Sequence, residues 1–215
     1  MARLPLYSFS FVLLFAGGSA FAATLDVQIS DSNGHPAGNA VVSLISQSGG
    51  IDVASHLPAE VTIDQRKETF IPLVSIVRQG GRATFTNNDT TMHQVYSFSP
   101  IKQFAFEVDQ GRRSEPLVFD KAGVASIGCN IHDHMITYVF VAATPWAVLT
   151  GANGHAAIDG VPPGRYRVEV WHAQLPPGRA VPSAALKVDD GNTKFALAVP
   201  LLPPPSQKHM HMGAY

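Results

Sequence analysis

The sequence has 215 residues, a formal net charge of −1 and only 14% charged side chains. So near-neutral a chain lacks the basic surface that nucleic acid or an anionic membrane demands. With 18 glycines and 16 prolines it argues against long helices and for strands joined by tight turns. At the N-terminus, Arg3 precedes an apolar run from Phe9 to Phe15, followed by Ala20-Phe21-Ala22. A positive end, a short hydrophobic core and an A-x-A site predict a signal peptide over 1–22, cleaved after Ala22, and a periplasmic or secreted product. The run is too short to span a bilayer, and no later stretch is long enough either. Without residues 1–22 the chain keeps 193 of its 215 residues, and losing Arg3 moves the net charge from −1 to −2.

From there almost every apolar segment alternates with period two or is a short β-branched run. Leu25, Val27 and Ile29 alternate with polar residues until Ser32-Asn33-Gly34 turns the chain, and Ala40–Ile45 reads as a buried strand. Strands are predicted at Leu73–Val77, Ala83–Thr86, Gln94–Phe98, Phe104–Val108, Leu117–Phe119, Val124–Ile127 and Ile136–Ala142. Tyr166, Val168 and Val170 mark another, and Phe195–Leu201 a last one before Pro203-Pro204-Pro205. No window keeps a helical period. Ten or more short strands spaced by turns predict an all-β chain of one or two sandwiches.

Chemistry concentrates on the single cysteine. Exported proteins usually pair their cysteines, but Cys129 has no partner in the chain. It is therefore an inert thiol, an intermolecular link, a nucleophile or a metal ligand. Each methionine after the initiator adjoins a histidine: Met92-His93, His134-Met135 and His209-Met210-His211-Met212. That adjacency points to soft-metal chemistry. Blue-copper sites use two imidazoles and a thiolate with a weak axial thioether. The loop from Gly128 to Met135 offers Cys129, His132, His134 and Met135, and His93 lies 36 residues before the cysteine. A lone cysteine is most often a small hydrophobe, and that reading weakens once these residues are taken together. Cys-His nucleophilic catalysis would leave Met135 unexplained, and zinc is a poor match for a thioether.

The stretch Phe70–Val141 resembles the cupredoxins, through Phe70 and Pro72, Gly80 before a strand, Phe85-Thr86-Asn87, and the first histidine. The spacing of Cys129, His132 and Met135 is similar to the short ligand loop of amicyanin. The phrase from Gly128 to Met135, with Val95 to Pro100 upstream, resembles the plastocyanin-like proteins often labelled methylamine-utilisation proteins. The resemblance implies a Greek-key β-sandwich and one type 1 copper ion held by His93, Cys129, His132 and Met135. It departs from the usual pattern at Met92 and Gln94, where many members carry Pro and Asn. His134 is then expected to be an exposed neighbour. Asp133 either holds His132 by a hydrogen bond or, more commonly for such residues, is solvated. Phe85, Phe119, Ile127 and Ile131 are expected to exclude water. On so short a loop, His132 should present its ring edge near the surface as a portal for electrons.

Around this segment, Val27–Leu44 and Thr150–Val168 resemble two halves of a carboxypeptidase-regulatory-like, transthyretin-like sandwich. The expected organisation is a signal peptide over 1–22, a small discontinuous sandwich over 23–59 and 143–202, and a cupredoxin domain over 60–142. A disordered His/Met tail over 203–215 completes it. The sequon Asn88-Asp89-Thr90 carries little weight, and His35, His56, His155 and His172 are given no metal role. The expected function is single-electron transfer between a redox donor and acceptor, with no enzymatic activity, nucleic acid or membrane span. A periplasmic copper-delivery protein and a structural β-module are the alternatives.

Overall fold

The computed structural model describes residues 23–49 and 56–203; the expected signal peptide and the His209–Met212 motif lie outside them. Sixteen strands and no helix occur among the described residues: β1 (Ala23–Asp31), β2 (Val41–Ser46), β3 (Glu60–Gln65), β4 (Phe70–Ile71), β5 (Val74–Arg78), β6 (Gly81–Asn87), β7 (His93–Ser99), β8 (Lys102–Val108), β9 (Leu117–Phe119), β10 (Gly123–Cys129), β11 (Ile136–Ala142), β12 (Ala147–Leu149), β13 (His155–Val161), β14 (Gly164–Trp171), β15 (Ser183–Val188) and β16 (Thr193–Val199). The fold is all-β, as expected, and among the described residues no helix is long and apolar enough to cross a membrane.

Four sheets form two sandwiches. One faces the order β13-β1-β16 against β12-β2-β14-β15; the other faces β5-β11-β10-β7-β8 against β4-β3-β6-β9. In the first, alternation buries Ala23, Leu25, Val27 and Ile29 of β1 completely. Antiparallel β2 and β14 set Val42 opposite Val170 and Leu44 opposite Val168, so one face of each is apolar. Trp146 and Tyr166 meet edge to face at 5.8 Å. The Tyr166 hydroxyl donates to the Pro162 carbonyl at 2.7 Å, which gives its one polar atom a partner.

The second sandwich closes on Phe85, fully buried and ringed by Phe70, Phe104 and Phe106 with centroids 5.7–6.2 Å away. β11 runs parallel to β5 and antiparallel to β10. Its outer face joins the two sandwiches: Trp171 at the end of β14 lies 5.3 Å from the Tyr138 ring and 6.0 Å from that of Phe140. Val41, Val74, Ala142 and Ala147 are buried in the same cluster. Trp171 thus packs between the sandwiches.

Candidate metal centre

Strand register brings the ligand-type residues together. β10 ends at Cys129, and β7 begins at His93; the two strands pair antiparallel, with Cys129 opposite Val95 and Gly128 opposite Tyr96. The end of one strand therefore lies beside the start of the other. Gly128 lets the Tyr96 ring lie close there, since a Cβ would stand 3.0 Å from it. After Cys129 the chain is tied back to β7: Asn130 donates its backbone N–H to the Gln94 carbonyl at 3.0 Å and its amide to Gln94 Oε1 at 2.7 Å. A turn closed by Met135 N–H on the His132 carbonyl, 3.0 Å, then returns the loop into β11.

The result is a compact donor set. His93 Nδ1 is 3.6 Å and His132 Nδ1 3.9 Å from Cys129 Sγ. One donor atom from each residue lies within 4.8 Å of the other two. His93 is fully buried and Cys129 nearly so; the His132 side chain is 17% exposed. Met135 is buried in the same apolar cluster as Cys129. Two imidazole nitrogens and a thiol, two of the three residues buried, suit a soft or borderline ion such as copper rather than a hard oxygen-seeking one. His134 stands outside the group, its side chain 64% exposed.

The side chains around the donors bear out most of the expectation, Asp133 taking the solvated role. Asp133 is exposed and makes no hydrogen bond or ion pair among the described residues. Ile131 is 48% exposed, whereas Phe85, Phe119 and Ile127 are fully buried.

Asp89, seen in the sequence only as part of a sequon, holds His93: its Oδ2 is 2.9 Å from Nε2. The ring donates Nε2–H to that carboxylate, which leaves the Nδ1 lone pair facing the thiol. Asn87 shapes this loop. Its buried amide donates to the carbonyls of Thr91 and Val108, 2.8 Å each, and its Oδ1 accepts from Asp89 N–H at 2.9 Å. Burial alone would raise the Asp89 carboxyl. The Glu68 N–H, the His93 ring and the Lys67 N–H outweigh it and hold that group below the usual carboxylate range.

The two N–H groups come from the turn between β3 and β4. Arg66 and Thr69 exchange backbone hydrogen bonds at 3.0 and 3.2 Å, leaving Lys67 and Glu68 as a two-residue loop with φ of +52° at both. Such turns normally take Asn-Gly, and left-handed geometry costs a residue with a Cβ about 1–2 kcal/mol. Asp89 offsets this by accepting from both backbone N–H groups. The Glu68 carboxylate then stands 3.7 Å from His132 Nε2 and 3.7 Å from His134 Nε2.

No family model matches the sequence, and no curated protein matches it. Among solved structures, the chain is similar to a purple cupredoxin from Nitrosopumilus maritimus, at 23% identity and TM-score 0.35, over 38% of this chain and 98% of that one. It is similar to a copper-containing nitrite reductase from Thermus scotoductus SA-01 at 21% identity and TM-score 0.36, over 44% of this chain and 25% of the reductase. A reduced amicyanin variant matches at 20% identity and TM-score 0.35, over 46% of this chain and 92% of that one. The structural neighbours are cupredoxins.

Proposed function

We propose that the protein is an exported type 1 copper protein that passes single electrons between a redox donor and a redox acceptor and catalyses no bond change. Its ligands in this reading are His93, Cys129, His132 and Met135. The observation that carries it is the convergence of two imidazole nitrogens and a thiol within 4.8 Å on two paired strands and one short loop. Copper bound there would supply a one-electron couple. The protein's part is geometric. His93 and Cys129 are fixed by strand pairing, Asp89 fixes the tautomer of His93, and the loop is tied to Gln94, so the donor set need not rearrange when the charge changes. His132, the more exposed imidazole, offers the electron an exit.

In the same reading, residues 60–142 form a cupredoxin domain inserted between the halves of a host sandwich, 23–59 and 143–202, and residues 1–22 direct export. Insertion at a surface loop is tolerated where the inserted ends lie close together. The test is the absorption and EPR spectrum of the copper-loaded mature protein. Intense thiolate-to-copper charge transfer that disappears in Cys129→Ser, with the far-UV signal of a β fold retained, is the expected result. A colourless wild-type complex would overturn the assignment.

A further inference from the structure

We propose that Glu68 selects the redox partner: its carboxylate, set against the outer nitrogens of His132 and His134, favours partners that present a lysine or arginine there and disfavours anionic ones. The inference rests on the electron-carrier reading given above.

Three independent features converge on this side chain. The first is conformational. Lys67 and Glu68 both occupy left-handed backbone geometry without glycine's freedom, and unfavourable geometry that persists is held by its surroundings and clusters at functional sites. The second is the anchor. The carboxylate that accepts from both turn N–H groups also accepts from the buried ligand His93, so turn and donor set are fixed by one residue. The third is placement. The turn delivers Glu68 to the outer edge of the centre, 52% exposed, with one oxygen 3.7 Å from each histidine's Nε2.

Both separations exceed a hydrogen bond, so the histidines do not consume the carboxylate's acceptor capacity. Among the described residues no lysine or arginine pairs with Glu68. Arg66, the nearest arginine in sequence, is 3.0 Å from Asp64 instead, and exposed Asp133 beside His132 adds charge of the same sign. Ile131 and Met92, next to the ligands in sequence, are 48% and 37% exposed. Rim charges of this kind act chiefly on encounter rates and on rejection of like-charged partners.

The test compares two one-electron oxidants. The reduced copper-loaded protein is mixed with tris(phenanthroline)cobalt(III), a cation, or with hexacyanoferrate(III), an anion. In either case the protein loses one electron, the complex gains it, and no bond forms or breaks. The ratio of the cationic to the anionic rate should fall about threefold or more in Glu68→Gln, reverse further in Glu68→Lys, and lose its dependence on the variant at high ionic strength. Glu60→Gln, the same charge change at the far end of β3, should leave the ratio near wild type; an equal fall there would make the effect one of net charge and overturn the proposal.

A metal-free arm reads the same contact. Hexaamminecobalt(III) should shift the backbone amide signals of Glu68 and His134 in the wild type but not in Glu68→Gln. No shift in the wild type overturns the proposal. A colourless copper complex overturns the carrier reading itself. An intensely coloured protein whose rate ratio ignores Glu68 overturns only this inference.

Discussion

Each sandwich holds one buried histidine, and the two are in the same tautomer. His172, in the sandwich built on β1 and β2, places Nε2 3.0 Å from the Gly38 carbonyl, and its Nδ1 accepts the Gln174 N–H at 3.1 Å. His93 donates Nε2–H to Asp89, and its Nδ1 faces the Cys129 sulfur at 3.6 Å. The difference lies in what meets the second nitrogen. Backbone consumes both polar atoms of His172, so that ring is a piece of packing with satisfied ends. His93 keeps a basic lone pair beside a soft donor, fixed in direction by a carboxylate behind it. Burial is common to both; the unspent Nδ1 is what leaves His93, unlike His172, with a nitrogen that could hold a metal.

Replacing each histidine is the sharpest way to break this comparison. His93→Ala should abolish the coloured copper complex, whereas His172→Leu should leave its absorption spectrum unchanged. Loss of colour from the His172 variant would show that the two sites are not independent. Next in size, Asp89→Asn should weaken metal binding about 10- to 100-fold, measured by competition with a chelator, because the carboxylate behind His93 raises its basicity. Equal affinity in that variant would reduce Asp89 to a turn anchor.

The cost of losing His172 should appear in stability instead. His172→Leu leaves the Gly38 carbonyl and the Gln174 N–H without their partner, at about 1–3 kcal/mol in urea unfolding of the metal-free protein. This histidine also predicts a pH dependence. Burial pushes its pKa below the ordinary 6.5, against the opposing pull of the Gly38 carbonyl. Between the folded value and 6.5 the unfolded chain therefore binds more protons, so this contribution is complete above that window and declines as pH falls through it. Urea midpoints at pH 7.5 and 5.5 should show the decline in the wild type and a smaller one in His172→Leu. The smallest effect is expected at the turn: Glu68→Gly should raise stability by about 1 kcal/mol by relieving a left-handed residue, seen as a higher urea midpoint.

Much of this was readable in the sequence wherever one face alternates. β1 and β14 announce themselves because Leu25, Val27, Ile29 and Val168, Val170 all point inward between polar neighbours. The donor types at Cys129, His132 and Met135 are also legible, being a lone cysteine, a histidine and a methionine on one short loop, with His93 36 residues before the cysteine. β3 is not legible there, because one of its two fully buried positions is Gln65, whose amide donates to the Thr86 carbonyl at 3.1 Å while its Oε1 finds no hydrogen-bond partner. A polar residue facing inward hides the period. The Lys67-Glu68 turn carries none of the Asn or Gly that normally marks such a turn. Its conformation depends on Asp89, 21 or 22 residues away along the chain. For the same reason sequence adjacency offers only Asp133 as a carboxylate for His132, while the one 3.7 Å from that ring belongs to Glu68.

The parallel pairing of β1 with β16, from Leu25 beside Thr193 to Asp31 beside Val199, also orders events in time. β1 leaves the ribosome early, yet both of its neighbours, β13 and β16, lie after residue 154. Every strand of the donor-bearing sandwich, by contrast, falls between Glu60 and Ala142. During vectorial synthesis, or threading through a translocation channel, that sandwich can close while β1 still waits with an open edge. Contacts so distant in sequence form slowly, and an unpaired apolar strand invites association with other chains. A nascent chain arrested once Ala142 has cleared the exit tunnel, but before β16 is made, should therefore already display a protease-resistant donor-bearing core, with Ala23–Asp31 still open to cleavage.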